Sequence, residues 1–324
     1  MLQRRPLVLS GLAALAAPGA VLAQAAPGKV WRIGVLSLSF PNQRWSFWPA
    51  LAAMGYVEGR NLVVDFRYAE GKAELLPQLA AELVASKPDL LIGPLSPDAA
   101  ALKKATSTIP IVMIYASVPV QTGLIASLAN PGGNLTGTTT VVPETAGKMT
   151  QLLRETVPRM SRVAWMGDPD YPAMDLYIKA AEQAAAAMKL RWTHLPVRTL
   201  ADLDAALASM ERERPDGLGV AMTGPLVVNV NRVIEFAARH KLPTLYSIEP
   251  PVRRGGLMSY GQDYKDIHSR VAWMIDKIFK GAKPSDIPVE EPARFNLIIN
   301  MKTAKAMGLV IPPTVLLQAT ELIE

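Results

Sequence analysis

Side chains that could recognise a solute recur in this chain at one kind of place, immediately after a short apolar run. Ser37 follows residues 30–36, Ser96 follows 90–93, and Tyr115 and Ser117 close the run 109–115. Later, Asp168 and Tyr171 follow 162–166, Thr223 follows 217–222, and Tyr246, Ser247 and Glu249 end the run 243–248. Tyr260 stands within GGLMSYG at 255–261. Hydroxyls and backbone N–H groups at helix N-termini bind carboxylates without a buried counter-ion. Ser and Asp also favour turns and caps for purely local reasons, so each has a structural as well as a recognition role open to it.

Motifs that would make or break bonds are missing. There is no G-x-S-x-G elbow, no GxxxxGK[ST] phosphate loop and no H-E-x-x-H. Gly217-Leu218-Gly219 starts like a dinucleotide fingerprint, but Met222 stands where its third glycine belongs, and the run lies inside a strand signal. The three histidines, His194, His240 and His268, show no metal-ligand spacing. Without cysteine there are no disulfides, thiolate nucleophiles or cysteine zinc sites. Asp168, Asp170, Glu249 and Asp263 lie near strand ends, yet acid–base work would need a nucleophile, metal or cofactor beside them. No cofactor is expected, and the weight falls on binding. Trp45, Phe47 and Trp48 are expected to pack on a sheet rather than stack on a ligand.

The 324 residues suffice for two domains, with half of them apolar and 19% charged. Arg4 and Arg5, an apolar run at 7–17, Pro18-Gly19 and Val21-Leu22-Ala23 compose an export signal cleaved near Ala23. Either the general secretory or the twin-arginine route fits. Removing residues 1–23 takes away two arginines and no acid, lowering the formal charge from +6 to +4. Basic residues are scattered, with short pairs at Lys103-Lys104 and Arg253-Arg254, so no nucleic-acid stripe exists. The expected location is the periplasm; the absence of cysteine excludes a lipoprotein anchor.

The elements that must position the hydroxyls alternate between strand and helix. Strand signals at 30–36, 61–68, 90–93 and 109–115 are separated by helical spacing at 45–54, 75–86 and after Ser96. Such alternation predicts parallel sheets covered by helices. The same order returns at 162–166, 190–197, 217–222 and 243–248, with helices at 175–188, 203–213 and 228–240. Ile33 to Val163 and Leu62 to Trp192 are both offsets of 130, Asp89 to Asp216 is 127 and Pro110 to Pro243 is 133. Both passes place Pro-Asp before the third strand. A near-constant offset signifies two similar α/β lobes in tandem. The tail adds a strand in 255–261, a helix at 264–279, a strand at 295–300 and helices at 303–307 and 314–323. It is expected to cross back between the lobes and make a hinge of several strands.

At this point the chain resembles a known family, the periplasmic ABC-transporter substrate-binding proteins related to tryptophan and tyrosine import components. The resemblance rests on GYVEGRN (55–61), RYAEG (67–71), TIPIV (108–112) and GLIASLANPGGNLTG (123–137). It continues through GGLMSYG (255–261), KGAKPSDIPVEEP (280–292) and INMKTAKAMGLVIPP (299–313). It implies a type I periplasmic-binding-protein fold: two three-layer α/β/α lobes joined by a multi-strand hinge. The division expected is 28–138 with about 255–290 for lobe one, and 139–254 with about 291–324 for lobe two.

The resemblance also implies a partner, a membrane permease energised by a separate ATPase, which fits the missing phosphate loop. Ser96 matches the family's Thr or Ser before Pro, and Asp168-Pro169 its Asn/Asp-Pro. Two departures bear on the ligand. Val118-Pro119-Val120 stands where Asp-Pro-Val is common, and Gly224-Pro225 where Asp-Pro often stands. Carboxylates there would suit an ammonium group. Their replacement points to a carboxylate-bearing solute with an aromatic or aliphatic body. A ligand sensor for a membrane receptor, or an exported enzyme, would be the alternatives.

Overall fold

The computed structural model describes residues 29–38, 47–140 and 142–324. The expected export signal at residues 1–23 and Trp45 therefore lie outside the described residues.

The first lobe runs β1 (Trp31–Ser37), α1 (Phe47–Ala53), β2 (Leu62–Tyr68), α2 (Leu76–Ala85), β3 (Leu90–Gly93), α3 (Ser96–Ala105), β4 (Ile111–Ala116) and β5 (Leu135–Thr139). Its strands are all parallel and ordered β2-β1-β3-β4-β5. The second lobe runs α4 (Glu144–Thr156), β6 (Arg162–Gly167), α5 (Met174–Ala187), β7 (Arg191–Pro196), α6 (Leu200–Glu213), β8 (Gly217–Val220), α7 (Pro225–His240), β9 (Thr244–Tyr246), α8 (Pro250–Arg253) and β10 (Met258–Gln262). The chain then returns to the first lobe as α9 (Tyr264–Phe279). It ends in the second lobe as β11 (Phe295–Asn300), α10 (Met301–Met307), α11 (Pro313–Leu316) and β12 (Glu321–Ile323). The second sheet is ordered β12-β11-β10-β9-β8-β6-β7, with β10 and β11 antiparallel.

The repeat holds at the level of single hydrogen bonds. Asp89 accepts the backbone N–H of Arg32 at 2.8 Å, and Asp216 that of Arg162 at 2.9 Å. The Leu91 N–H donates to the Pro110 carbonyl at 2.8 Å, and the Leu218 N–H to that of Pro243 at 2.9 Å. Strand order is the same in both halves, since β6, β7, β8, β9 and β10 repeat β1, β2, β3, β4 and β5. The Gly-Leu-Gly run at 217–219 finds its reason in packing: a Cβ on Gly217 would sit 2.4 Å from the Met160 methyl, and one on Gly219 2.4 Å from the Trp165 ring. These glycines make room for large side chains rather than for a cofactor.

Each sheet carries a core on both faces, which gives the three layers. In lobe one, Phe47, Leu51, Val271 and Ile275 cover one face, and Leu83, Leu102 and Met113 the other. In lobe two, Leu153 and Trp165 lie on one side, and Leu203, Val233 and Phe236 on the other. Helix starts follow their caps. Thr199 and Asp202 bond each other's backbone N–H at α6, Asp263 accepts from the N–H groups of Lys265 and Asp266 at α9, and Asn300 from Thr303 at α10.

Two sequence expectations are corrected. The sequence leads one to expect residues from about 255 in lobe one, but β10 lies in the second sheet and only α9 joins the first lobe's core. The apolar stripe Ile267, Val271, Ile275 and Phe279 has its place there. One helix is expected over residues 314–323; α11 instead stops at Leu316, and β12 pairs with β11. The open edge of β11 offers ladder partners that outweigh helical spacing in so short a segment.

Three chain crossings join the lobes: between β5 and α4, between β10 and α9, and between α9 and β11. They are hydrogen-bonded together. The Thr139 N–H donates to the Glu290 carbonyl at 2.9 Å, the Glu290 N–H to that of Gly137 at 3.1 Å, and the Asp263 N–H to that of Arg294 at 2.9 Å. Arg270 on α9 clasps the Glu290 carboxylate with two bonds of 2.7 and 2.6 Å.

Candidate functional site

Parallel strands place all their C-terminal ends on one edge, and the sequence puts its hydroxyls there. In lobe one, the Ser96 hydroxyl at the start of α3 accepts the Ser117 N–H at 2.8 Å and donates to the Ser117 carbonyl at 3.3 Å. This locks the loop after β4 against the loop after β3. Below it, Asp98 is fully buried and accepts the N–H groups of Leu38 (2.9 Å) and Leu95 (3.0 Å). Burial pushes its carboxyl up to about 7 despite those two bonds, which pull the other way.

In lobe two, the Asp168 N–H donates to the Thr223 hydroxyl at 3.1 Å, tying the loops after β6 and β8 together. Asp168 Oδ1 accepts the Asp170 N–H at 3.0 Å. The adjoining Gly224 has φ 52°, and a Cβ built there would lie 2.1 Å from Asp168 Oδ2. The glycine is thus required both by its backbone conformation and by the carboxylate that fills its side-chain space.

The two edges meet. Ser117 Oγ lies 2.6 Å from the Tyr171 hydroxyl of the opposite lobe, and Val118 packs on Ala173, Tyr171 and Tyr177. Val118 has φ 40°, an outlier for a β-branched residue, held by packing that leaves it 8% exposed. Asp and Asn adopt that conformation several-fold more readily. The hinge side is aromatic. The Tyr177 hydroxyl donates to the Thr140 carbonyl at 3.2 Å, and Gln262 Nε2 donates to the same oxygen. Tyr264, at the first turn of α9, meets the Tyr115 ring edge-on at 5.7 Å, and the Tyr115 hydroxyl pairs with His268 Nε2. Burial raises the hydroxyls of Tyr115, Tyr177 and Tyr264, the last to about 12, so all three remain protonated. It lowers His268 to about 4, keeping the imidazole neutral.

The structure brings together Ser96, Tyr115, Ser117, Asp168, Tyr171 and Thr223. It does not bring the other four. Ser37 is 1% exposed beneath the cleft edge, and the Tyr246 ring is fully buried in the second lobe's core. Glu249 pairs with Arg253, which also reaches Glu321 at 2.8 Å, on the surface. Tyr260 stacks on Phe295 with ring centres 5.7 Å apart. A strand-end position in sequence leaves open which face a side chain takes, and these four take the core or the rim. Tyr177, Tyr264, His268 and Gln262 were missed because they come from helix faces and a crossing, far from the hydroxyl loops. Their only sequence signal is an aromatic or amide at a crossing. Phe47 packs in the core as expected.

This arrangement has hydroxyls, phenols and the Asp168 carboxylate, which makes no ion pair among the described residues, at a two-lobed cleft, and it suits recognition of a small solute. The family profile described as ABC transporter substrate binding protein matches residues 39–323. The chain belongs to that family. Its relatives are substrate-binding proteins, not enzymes. The "Tyrosine-binding protein" of Clostridioides difficile (strain R20291) is 26% identical over 271 residues, 84% of this chain and 78% of that one. A crystal structure of a conserved domain protein from Vibrio cholerae O1 biovar El Tor is 27% identical, with a TM-score of 0.80 over 91% of this chain and all of that one. The ABC domain of Streptococcus pneumoniae in complex with L-Trp is 26% identical, with a TM-score of 0.79 over 90% of this chain and 99% of that one. These matches share the two-lobed type I periplasmic-binding-protein architecture expected from the sequence. Among the described residues no helix is long and apolar enough to cross a membrane.

Proposed function

We propose that this chain is the periplasmic solute-binding component of an ABC importer, closing its lobes on a small carboxylate-bearing solute with an aromatic or apolar body. Export of the chain, the periplasmic location, and delivery to a membrane permease with a separate ATPase belong to this reading. The observation that carries it is the apolar contact at Val118. Where the resemblance leads one to expect an acid, a valine packs across the cleft on Ala173 and Tyr171. Ser117 and Thr223 supply hydroxyls for the carboxylate end, with Ser96 holding the Ser117 loop in place, and Tyr115, Tyr171, Tyr177 and Tyr264 supply the faces and edges that hold a ring.

One observation favours a second reading, an aromatic amino acid. Asp168 stands at the cleft edge with no ion pair among the described residues and could receive an ammonium group, and two relatives are described with tyrosine or L-Trp. A thermal-shift screen separates the two. Stabilisation by phenylacetate, indole-3-acetate or alkyl carboxylates, exceeding that by L-Trp and L-Tyr, supports the first; stabilisation by the amino acids alone overturns it.

A further inference from the structure

A cavity lies on lobe two along the edge strand β7, from the N-terminal edge of the sheet at Arg162 and Arg191 as far as Leu195. It measures about 390 Å³, within the range of small-molecule sites. Its place follows from topology. β7 is the edge strand of its sheet, and α6 runs from there to β8, so the start of β7 is left uncovered beside the end of α6. The floor is apolar, with Ala164, Leu195 and Met210 each less than a tenth exposed.

The lining carries three arginines in different electrostatic states. Arg162 is spent: it lies 3.5 Å from Asp216 and donates to the Glu213 carbonyl at 2.7 Å. Arg191 and Arg212 make no ion pair and no side-chain hydrogen bond among the described residues. The Glu213 carboxylate, the one acid in the lining, accepts from Ser209 at 3.3 Å. Two arginines with unspent donors, lining one cavity with apolar side chains, match the two ends of an anionic amphiphile.

We propose that this cavity binds a small organic anion, its carboxylate or phosphate held by Arg191 and Arg212 and its apolar body resting on Ala164, Leu195 and Met210. The site is separate from the interlobe cleft and independent of the solute bound there. Isothermal titration of the purified protein with phenyl phosphate tests it, beside inorganic phosphate and benzyl alcohol as the charged and apolar halves alone. Phenyl phosphate should saturate one site, with each half about ten-fold weaker or more. Arg191→Gln with Arg212→Gln should weaken phenyl phosphate by about ten-fold or more; both side chains are exposed, so the fold should survive, with an unchanged melting temperature as the check. Asp168→Asn, in the cleft, should leave that binding as it is. Three results would overturn the proposal: no saturable binding of phenyl phosphate, unchanged binding by the double arginine variant, or loss of binding on Asp168→Asn.

Discussion

Two buried groups at the first lobe's cleft edge and hinge titrate in opposite senses. Burial raises Asp98 from 3.8 to about 7, so the folded chain holds this proton more tightly than the unfolded chain. The stability this group contributes is therefore present at low pH and lost as pH rises through about 7. Burial lowers His268 from 6.5 to about 4, so its contribution is present above about 6.5 and lost as pH falls toward 4. Between those limits the two slopes, each at most about 1.4 kcal/mol per pH unit, oppose one another. Urea unfolding from pH 4.5 to 6.5 should show Asp98→Asn losing stability on acidification and His268→Gln gaining it relative to the parent. Slopes of one sign in both variants would contradict these assignments. Val118 supplies a second residue-scale prediction. Val118→Asp relieves an unfavourable φ but buries a carboxylate, so the ligand-free protein should melt lower while L-Trp or L-Tyr binds about ten-fold tighter, read by titration calorimetry.

At the scale of elements, strand starts are pinned by matched aspartates. Asp216 accepts from the Ser161 N–H at 2.8 Å, the Ser161 hydroxyl at 3.0 Å and the Arg162 N–H at 2.9 Å, so one carboxylate joins the start of β8 to that of β6. Asp89 holds the Arg32 N–H in the same way and pairs with Lys29 at 2.8 Å. Asp216→Ala should cost about 1–3 kcal/mol, because three donors lose their acceptor together, and Asp89→Ala should cost less. Urea midpoints with unchanged m-values would measure both; equal costs would mean that the extra donors to Asp216 contribute nothing. Pro-Asp before the third strand made the equivalence legible in the sequence. The four strands of each pass and most of the helices were equally legible, since apolar period and caps are local. The fate of residues 314–323 was not, because the edge of β11 that captures them is remote in sequence.

At the scale of the whole molecule, the lobes are joined by three crossings and touch again at Ser117–Tyr171. Tyr171→Phe keeps the ring on Val118 and deletes only the hydroxyl that lies 2.6 Å from Ser117 Oγ. The arrangement in which the lobes touch should lose about 1 kcal/mol, read as roughly five-fold weaker binding of whichever solute the screen identifies and a larger radius of gyration by X-ray scattering. An unchanged radius and affinity would show that this contact does not hold the lobes. The sequence alone determined the two-lobe repeat and the absence of catalytic motifs, because periodicity, motif spacing and a constant offset are properties of the string itself; the family came from the resemblance of motifs such as GYVEGRN and GLIASLANPGGNLTG. Six of the ten candidate residues stand together where the lobes meet, since parallel strands send all their ends to one edge. Only the tertiary structure decided the rest. It sent Tyr246 into the core and Glu249 to Arg253, and it brought Tyr177, Tyr264 and His268 to the hinge side of the cleft. It also set Val118 against the opposite lobe. Which way a side chain faces, and what it meets across a cleft, depends on contacts between segments tens to hundreds of residues apart, and no local pattern encodes them.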